Sequence, residues 1–167
     1  VPAELAITAR KDQPPVMHFE ANLSDAEVYV ASIGWKKPAG QRGMLNIDLQ
    51  TAENGNTVLR NLNLLGDDLE VRGELLLNHK RRPISFSFPT VALNAQTKME
   101  MRGDLSPNNV WSIRASGPTF DGRQFFRSLF SAGQLTEAPL REQNIAKNEP
   151  GLDVRVDIEN VVGFFDT

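Results

Sequence analysis

Few side chains in this sequence have the types and spacing that catalysis requires. The two histidines, His18 and His79, fall on different predicted elements, and neither has neighbouring ligands at the spacing of a metal site. The absence of cysteine excludes a disulfide framework, a thiolate metal site and a cysteine nucleophile. The sequence also lacks a Gly-x-Ser-x-Gly motif and a glycine-rich phosphate loop. We therefore expect no metal, no cofactor and no enzymatic activity.

The charged clusters are typical of solvated surfaces. Asp67 and Asp68 fall in a predicted tight turn, and Asp153 and Asp157 alternate with apolar residues on the polar side of the last predicted strand. The run Lys80-Arg81-Arg82 could contact phosphates, but it is brief and has no interleaved aromatic residues. Because the net charge is -3, no global basic field attracts nucleic acid, and we expect no nucleic-acid partner.

Most of the sequence alternates between apolar and polar residues with the period of a β-strand. Ile84, Phe86 and Phe88 alternate with serines, for example, and Asn54-Gly55 is a strong hairpin signal. Roughly ten or eleven such segments follow one another at spacings of about 8 to 12 residues. This pattern predicts a mainly β fold, a curled antiparallel meander in the form of a β-groove or half-barrel. Such a sheet must close on itself, pack on a second sheet or leave its apolar face for a ligand.

Some local signals predict interruptions of this sheet. Pro83 and Pro89 bracket one strand, which favours an edge or a bend over a regular central position. A shift in the alternation near Ser32 predicts a bulge in the strand that contains Val30. Gly117-Pro118 is expected to end the strand that precedes it.

One short amphipathic helix is predicted near the C-terminal end, at about residues 121–132. Asp121 is a suitable N-cap, Gln124 completes a capping-box pattern, and Gly133 can end the helix. We expect the apolar side of the helix to cover an end or edge of the sheet, or to contact a lipid. That side is formed by Phe125, Phe126, Leu129 and Phe130.

The length and composition fit one globular domain with a core. Of the 167 residues, 40% are apolar, and nine Phe stand against one Tyr and two Trp, which favours dry packing over polar recognition. No run of about 18 apolar residues predicts a membrane span. We divide the sequence into a β domain (1–133), a linker or mobile loop (134–150) and a strand (151–167) that pairs back or begins a following repeat. Because the first residue is Val1, we expect a processed chain or a fragment.

Three stretches of the sequence resemble segments of the AsmA-like bacterial envelope proteins of the YhdP and TamB kind. The first is WKKPAGQRG (35–43) after the alternating AEVYV (26–30). The second is the strand, tight turn and strand of LNLLGDDLEVRG (62–73). The third is IRASG (113–117) followed by DGR (121–123). The resemblance covers most of residues 1–133, and 152–165 resemble the opening of a further unit.

The resemblance implies an internal or C-terminal segment of a long periplasmic protein that is anchored in the inner membrane. Such proteins are associated with phospholipid transfer between the inner and outer membranes and with envelope integrity. The implied partners are phospholipid acyl chains, further repeats of the same parent protein and envelope proteins. The membrane anchor and most of the length of a complete member lie outside this sequence, so transport would belong to the parent protein.

Two functions are therefore considered. The first is an apolar β-groove that binds acyl chains, and the second is a closed-core structural or interaction module that binds a partner at its edge strands and has no lipid ligand. For the groove, we expect the lining to be Leu45, Ile47, Leu62, Leu64, Leu69, Val71, Ile84, Phe86, Met99, Met101, Trp111 and Ile113.

Overall fold

The computed structural model describes residues 2–8, 15–30, 35–93, 95–123 and 150–163, and these form eleven β-strands. The mainly β prediction is confirmed. The strands are β1 (Ala3–Thr8), β2 (Val16–Asn22), β3 (Val28–Val30), β4 (Trp35–Lys37), β5 (Gly43–Thr51), β6 (Thr57–Gly66), β7 (Leu69–Leu77), β8 (Pro83–Leu93), β9 (Thr97–Leu105), β10 (Val110–Asp121) and β11 (Gly151–Val162).

Nine of these strands form a single open sheet in the order β1-β2-β5-β6-β7-β8-β9-β10-β11. Each neighbouring pair from β1 to β10 is antiparallel, as the meander prediction requires. The last pair differs, because β11 runs parallel to β10. The sheet is therefore mixed, and its edges are β1 and β11. The final strand pairs back into the same sheet, which was one of its two predicted placements.

Strands β3 and β4 form a separate antiparallel hairpin between β2 and β5. The predicted single bulged strand through Ser32 is wrong, because the segment that contains Trp35 pairs back on the segment that contains Val30. Strand β4 contains a buried lysine. Lys37 is 2% exposed, and its ammonium donates to the backbone carbonyls of Ala26 at 2.9 Å and Pro38 at 3.0 Å.

The tight turns of the sheet lie where the sequence predicts them. Asn54-Gly55 connects β5 to β6, with Gly55 at a φ of +79°, a conformation that glycine adopts without strain. The turn through Asp67 and Asp68 connects β6 to β7, with both residues exposed. Local turn chemistry thus sets the hairpins of this sheet.

Three alternate strands contain an extra residue. Those in β6 and β8 are extra relative to both neighbouring strands, and that in β10 is extra relative to β9 but not to β11. In β6 the bulge includes Asn61, at a φ of +51°, and in β8 it lies at Pro89. In β10 it lies at Gly117-Pro118, so this pair bends the strand, and the prediction that it ends the strand is wrong. The bend predicted at Pro89 is present, but β8 is a central strand and not an edge. Bulges of this kind increase the local twist of a strand.

No helix is present among the described residues. Asp121, predicted as the first helical cap, is the last residue of β10. Its carboxylate accepts a hydrogen bond from the backbone N–H of Arg123 at 3.2 Å, a contact that a helix N-cap also makes. The four apolar residues of the predicted helix lie outside the described residues, and so does the predicted linker except for its last residue. Within the described ranges, no helix has the length and apolar character of a membrane span.

Candidate functional site

One face of the nine-stranded sheet is apolar from edge to edge. Residues that are opposite each other in register project from the same face, and alternate residues along a strand do likewise. Ile7 of β1 pairs with Met17, which pairs with Leu49. The series continues in register through Leu59, Leu75, Phe86, Gly103 and Ile113 to Val154 of β11. We call this surface the apolar face. It is formed by Leu5, Ile7, Met17, Phe19, Ala21, Leu45, Ile47, Leu49, Leu59, Leu62, Leu64, Leu69, Val71, Leu75, Phe86, Phe88, Val91, Leu93, Met99, Met101, Leu105, Trp111, Ile113, Ala115, Leu152, Val154, Val156 and Ile158.

The structure places the predicted lining residues together on the apolar face. All of them except Ile84 have register partners that are either apolar-face residues or the glycines Gly73 and Gly103, which lie at positions of the same face. Ile84 is the extra residue between Pro83 and Ser85 at a register shift between β7 and β8, so the register does not assign it to a face. The prediction missed the contributions of the two edge strands and of Phe88, Val91 and Leu93. The same alternation that marked their neighbours could have found them.

The packing of the apolar face differs between its two ends. At the end where the β6–β7 turn lies, which we call the packed end, Leu69, Val91, Leu93, Met99 and Ala115 form a cluster of buried residues. Phe120 and Ile158 pack against this cluster. At the opposite end, where the β7–β8 loop lies, the apolar side chains are only half-buried; we call this the open end. They are Leu59, Leu75, Phe86, Leu105 and Trp111.

An aromatic group occupies the face toward the open end. The ring centroids of Phe86 and Phe88 are 5.5 Å apart, and those of Phe86 and Trp111 are 5.7 Å apart. Gly103 makes room for it, since a Cβ at this position would lie 2.6 Å from Cζ of Phe86. The rings therefore lie over the backbone of a neighbouring strand and present a half-buried aromatic surface.

No second layer of described residues covers the apolar face. Each described strand makes its extensive contacts only with the strands that are beside it in the sheet. At the edges, Leu5 is 60% exposed and Leu152 is 66% exposed, and both project from this face. An apolar surface of this extent normally binds something, either a ligand or further protein.

The opposite face of the sheet is polar and carries a cross-strand cluster around His18. Its Nδ1 lies 2.6 Å from an oxygen of Asp48, and its Nε2 lies 3.1 Å from an oxygen of Glu20. Asn61, at the β6 bulge, donates to Asp48 at 2.7 Å. The hydrogen bond to Asp48 and then the one to Glu20 raise the pKa of His18, and the same contact with His18 lowers the pKa of Asp48. The cluster thus links β2, β5 and β6 through side-chain hydrogen bonds. Within the described residues, no group of three or more His, Asp or Glu side chains could hold a metal ion.

A second charged group lies on the polar face near the β11 edge. Arg102, Arg114 and Arg155 are in register across β9, β10 and β11, and they line a surface pocket of about 270 Å³. Glu100 and Asp157 line the same pocket. The carboxylates offset the cations, so this surface has the mixed charge of a solvated face.

The other predicted candidates lie apart from one another. Asp153 is exposed on the polar side of β11, whereas Asp67 and Asp68 are exposed in the turn at the packed end. His79 and the run 80–82 are exposed in the loop at the open end. The described residues therefore bring together an extended apolar surface and not a constellation of catalytic groups.

Comparison with known proteins returned no match, whether against protein-family models, curated proteins or solved structures.

Proposed function

We propose that this chain is a segment of an AsmA-like periplasmic protein whose apolar face binds the acyl chains of phospholipids. The parent protein would be anchored in the inner membrane and would move phospholipid between the inner and outer membranes. The observation that carries the proposal is the apolar face itself, which crosses nine strands and has no described layer over it. The family and the location rest on the sequence resemblance.

The dimensions of the face suit acyl chains. Nine strands extend over about 38 Å at roughly 4.8 Å per strand. Acyl chains need apolar area and no hydrogen bonds, and each buried methylene contributes about 0.8 kcal/mol. A long, mainly apolar surface therefore fits this ligand better than one that needs specific polar contacts.

The burial of the packed end supports a groove. Leu69 and Leu93 are less than a tenth exposed, although no described strand lies over them. A flat single sheet would leave such side chains open to solvent. Together with the bulges on alternate strands, their burial supports a sheet that curls toward its apolar face.

The alternative is an interaction module with a closed core. The exposed apolar residues of the edge strands, such as Leu5 and Leu152, favour pairing with further strands. This feature also suits further repeats of the parent protein, which would continue the same sheet. The half-buried residues at the open end favour the groove over a closed core, because a closed core would cover them.

The proposal is tested by native mass spectrometry of the purified chain, followed by extraction and identification of bound lipid. We expect co-purifying phospholipid. Leu64→Asp and Phe86→Asp should each lose it, because a carboxylate on the apolar face makes acyl contact unfavourable. Ser87→Asp is the matched control, since Ser87 adjoins Phe86 but projects from the polar face, in register with Arg102.

A lipid-free mass, with no uptake of a fluorescent phospholipid from vesicles, would contradict the proposal. So would lipid retention by both apolar-face variants. If the variants fail to fold, the wild-type chain still gives an answer through its lipid content and uptake.

A further inference from the structure

The loop between β7 and β8 presents three cations at the open end of the apolar face. Lys80, Arg81 and Arg82 are all exposed. Among the described residues, none of their side chains takes part in a hydrogen bond or an ion pair. The loop carries no carboxylate, so its charge is not offset locally.

Asn78 gives this loop a defined shape. Its side-chain oxygen accepts hydrogen bonds from the backbone N–H groups of Lys80 at 2.9 Å and Arg82 at 3.0 Å. Its backbone N–H donates to the carbonyl of Arg82, and its own carbonyl accepts from the N–H of Arg81. The turn is thus closed by its own hydrogen bonds, and the cationic side chains are left for contacts outside the loop.

The loop is continuous with the apolar face. Leu77 and Pro83, which flank it, are register partners at the ends of β7 and β8. Phe86 follows three residues after Pro83, at about 10 Å along the strand. An amphiphile with its chain over the aromatic group would therefore have its headgroup near the three cations.

Charge also distinguishes the two ends of the sheet. The β6–β7 turn at the packed end carries the exposed acids Asp67 and Asp68. At the open end, the neighbouring β9–β10 turn, residues 106–109, carries no charge, and the β5–β6 turn carries only Glu53. An anionic headgroup would therefore be attracted to the β7–β8 loop and repelled by the acids of the β6–β7 turn.

From this arrangement we propose that the β7–β8 loop binds the phosphate of an anionic headgroup and orients the lipid with its chains toward the packed end. This inference rests on the proposed acyl-chain function of the apolar face. The ligand class is a phosphate-bearing amphiphile of net negative charge, held by guanidinium and ammonium donors.

The test measures uptake of a fluorescent lipid by the chain from phosphatidylcholine vesicles. The fluorescent lipid carries its label on an acyl chain and is either the anionic phosphatidylglycerol or the zwitterionic phosphatidylcholine. The loop variant is Lys80→Gln, Arg81→Asn and Arg82→Gln in one chain. Asn is chosen at position 81 because Arg81 has a φ of +59°, which Asn tolerates. The control variant, Arg102→Gln, Arg114→Gln and Arg155→Gln, removes the same charge from the polar face.

We expect the wild-type chain and the control variant to prefer the anionic lipid. The loop variant should lose that preference, by roughly 100-fold at low salt, since each Lys or Arg near an anionic headgroup contributes about a factor of five. Its uptake of the zwitterionic lipid should stay unchanged. This retained uptake separates the headgroup site from the acyl-chain site.

Three results would overturn the inference. An unchanged preference in the loop variant would refute the loop site but leave the proposed function standing. Equal loss of preference in the control variant would show that the preference depends on the net charge of the chain and not on the loop. Absence of uptake of either lipid by the wild-type chain would remove the proposed function and the inference together.

A further arm distinguishes the lipid headgroup from free phosphate. Binding of inorganic phosphate is measured by calorimetry in the wild-type chain and the loop variant. Loop-dependent phosphate binding without any preference for the anionic lipid would identify free phosphate as the ligand and overturn the headgroup assignment. Loop-dependent preference for the anionic lipid supports it.

Discussion

Replacing Gly73 by alanine is expected to destabilise the sheet more than replacing Gly103 by alanine. Both glycines lie on the apolar face beneath an aromatic ring of β8, but their surroundings differ. A Cβ on Gly73 would lie 2.9 Å from Cα of Phe88 and closer still to the carbonyl oxygen of Ser87. For a Cβ on Gly103, the three nearest atoms are all ring atoms of Phe86.

The magnitudes follow from what must move. At Gly73 the backbone of β8 has to shift, so we expect a cost of about 3 kcal/mol, the upper range for an overpacked site. At Gly103 the Phe86 ring can rotate away. The cost is then about 1 kcal/mol and comes mostly from the lost contact between Phe86 and Trp111. Alanine also restricts the unfolded chain more than glycine does, which offsets part of this cost.

The assay is urea denaturation followed by far-UV circular dichroism, which gives the free energy of unfolding of each variant. Gly163→Ala is the control, because a Cβ at Gly163 meets nothing within 4 Å and Gly163 has no positive φ. Equal stability of Gly73→Ala and the wild-type chain would refute the reasoning. So would a larger loss for Gly103→Ala than for Gly73→Ala.

Three further predictions concern the polar side chains. Because the pKa of His18 is raised above its usual 6.5, mainly by Asp48 and then by Glu20, its contribution to stability should be fully present below pH 6.5 and lost as the pH rises through the higher folded value. The urea midpoint of the wild-type chain should fall as the pH rises over that range, and the midpoint of His18→Gln should not. Parallel plots of midpoint against pH for the two proteins would contradict this prediction. Lys37→Met should lower the unfolding free energy by about 1–3 kcal/mol, because the carbonyls of Ala26 and Pro38 lose their donor. Hydrogen exchange of the β3–β4 hairpin should rise, and unchanged exchange would contradict the role of these hydrogen bonds. Asn61→Gly and Asn61→Val both lose the hydrogen bond to Asp48, but Asn61→Val should cost about 1 kcal/mol more, because the φ of +51° disfavours a β-branched residue. Equal urea midpoints of the two variants would show that the bulge relaxes.

The composition of the apolar face could be predicted because strand periodicity is a local property. Once Phe86 and Met101 are each recognised in an alternating run, the pleat fixes which of their neighbours share a face. Hairpin turns such as Asn54-Gly55 are equally local, so consecutive antiparallel pairing followed from them. These features explain why most residues of the predicted lining share one face of the sheet.

The partner of β11 could not be predicted, since residues 122–150 separate it from β10 and carry no register information. The prediction that Gly117-Pro118 ends a strand is wrong for a different reason. A strand end and a bulge share the same local signal, and the neighbouring strand decides between them. Lys98 and Met99 of β9 lie close enough to Gly117 that a Cβ there would be 2.6 Å from Cα of Met99. Tertiary contact therefore keeps β10 in the sheet.

The role of Lys37 and the difference between the two ends also depend on tertiary structure. A lysine in a polar run gives no indication that its ammonium will be buried among backbone carbonyls. The apolar residues of the packed end and of the open end are brought together only when the registers of all nine strands are combined.

The binding of acyl chains by the apolar face is tested most directly by fluorescence of Trp111. Trp35→Phe leaves Trp111 as the one tryptophan of the chain, and Trp111 projects from the apolar face at the open end. Phospholipids with brominated acyl chains quench tryptophan on contact. We predict strong quenching of Trp111 with brominated chains and none with the same lipid unbrominated. Unquenched fluorescence with brominated lipid bound would contradict the assignment of the apolar face as the acyl-chain site.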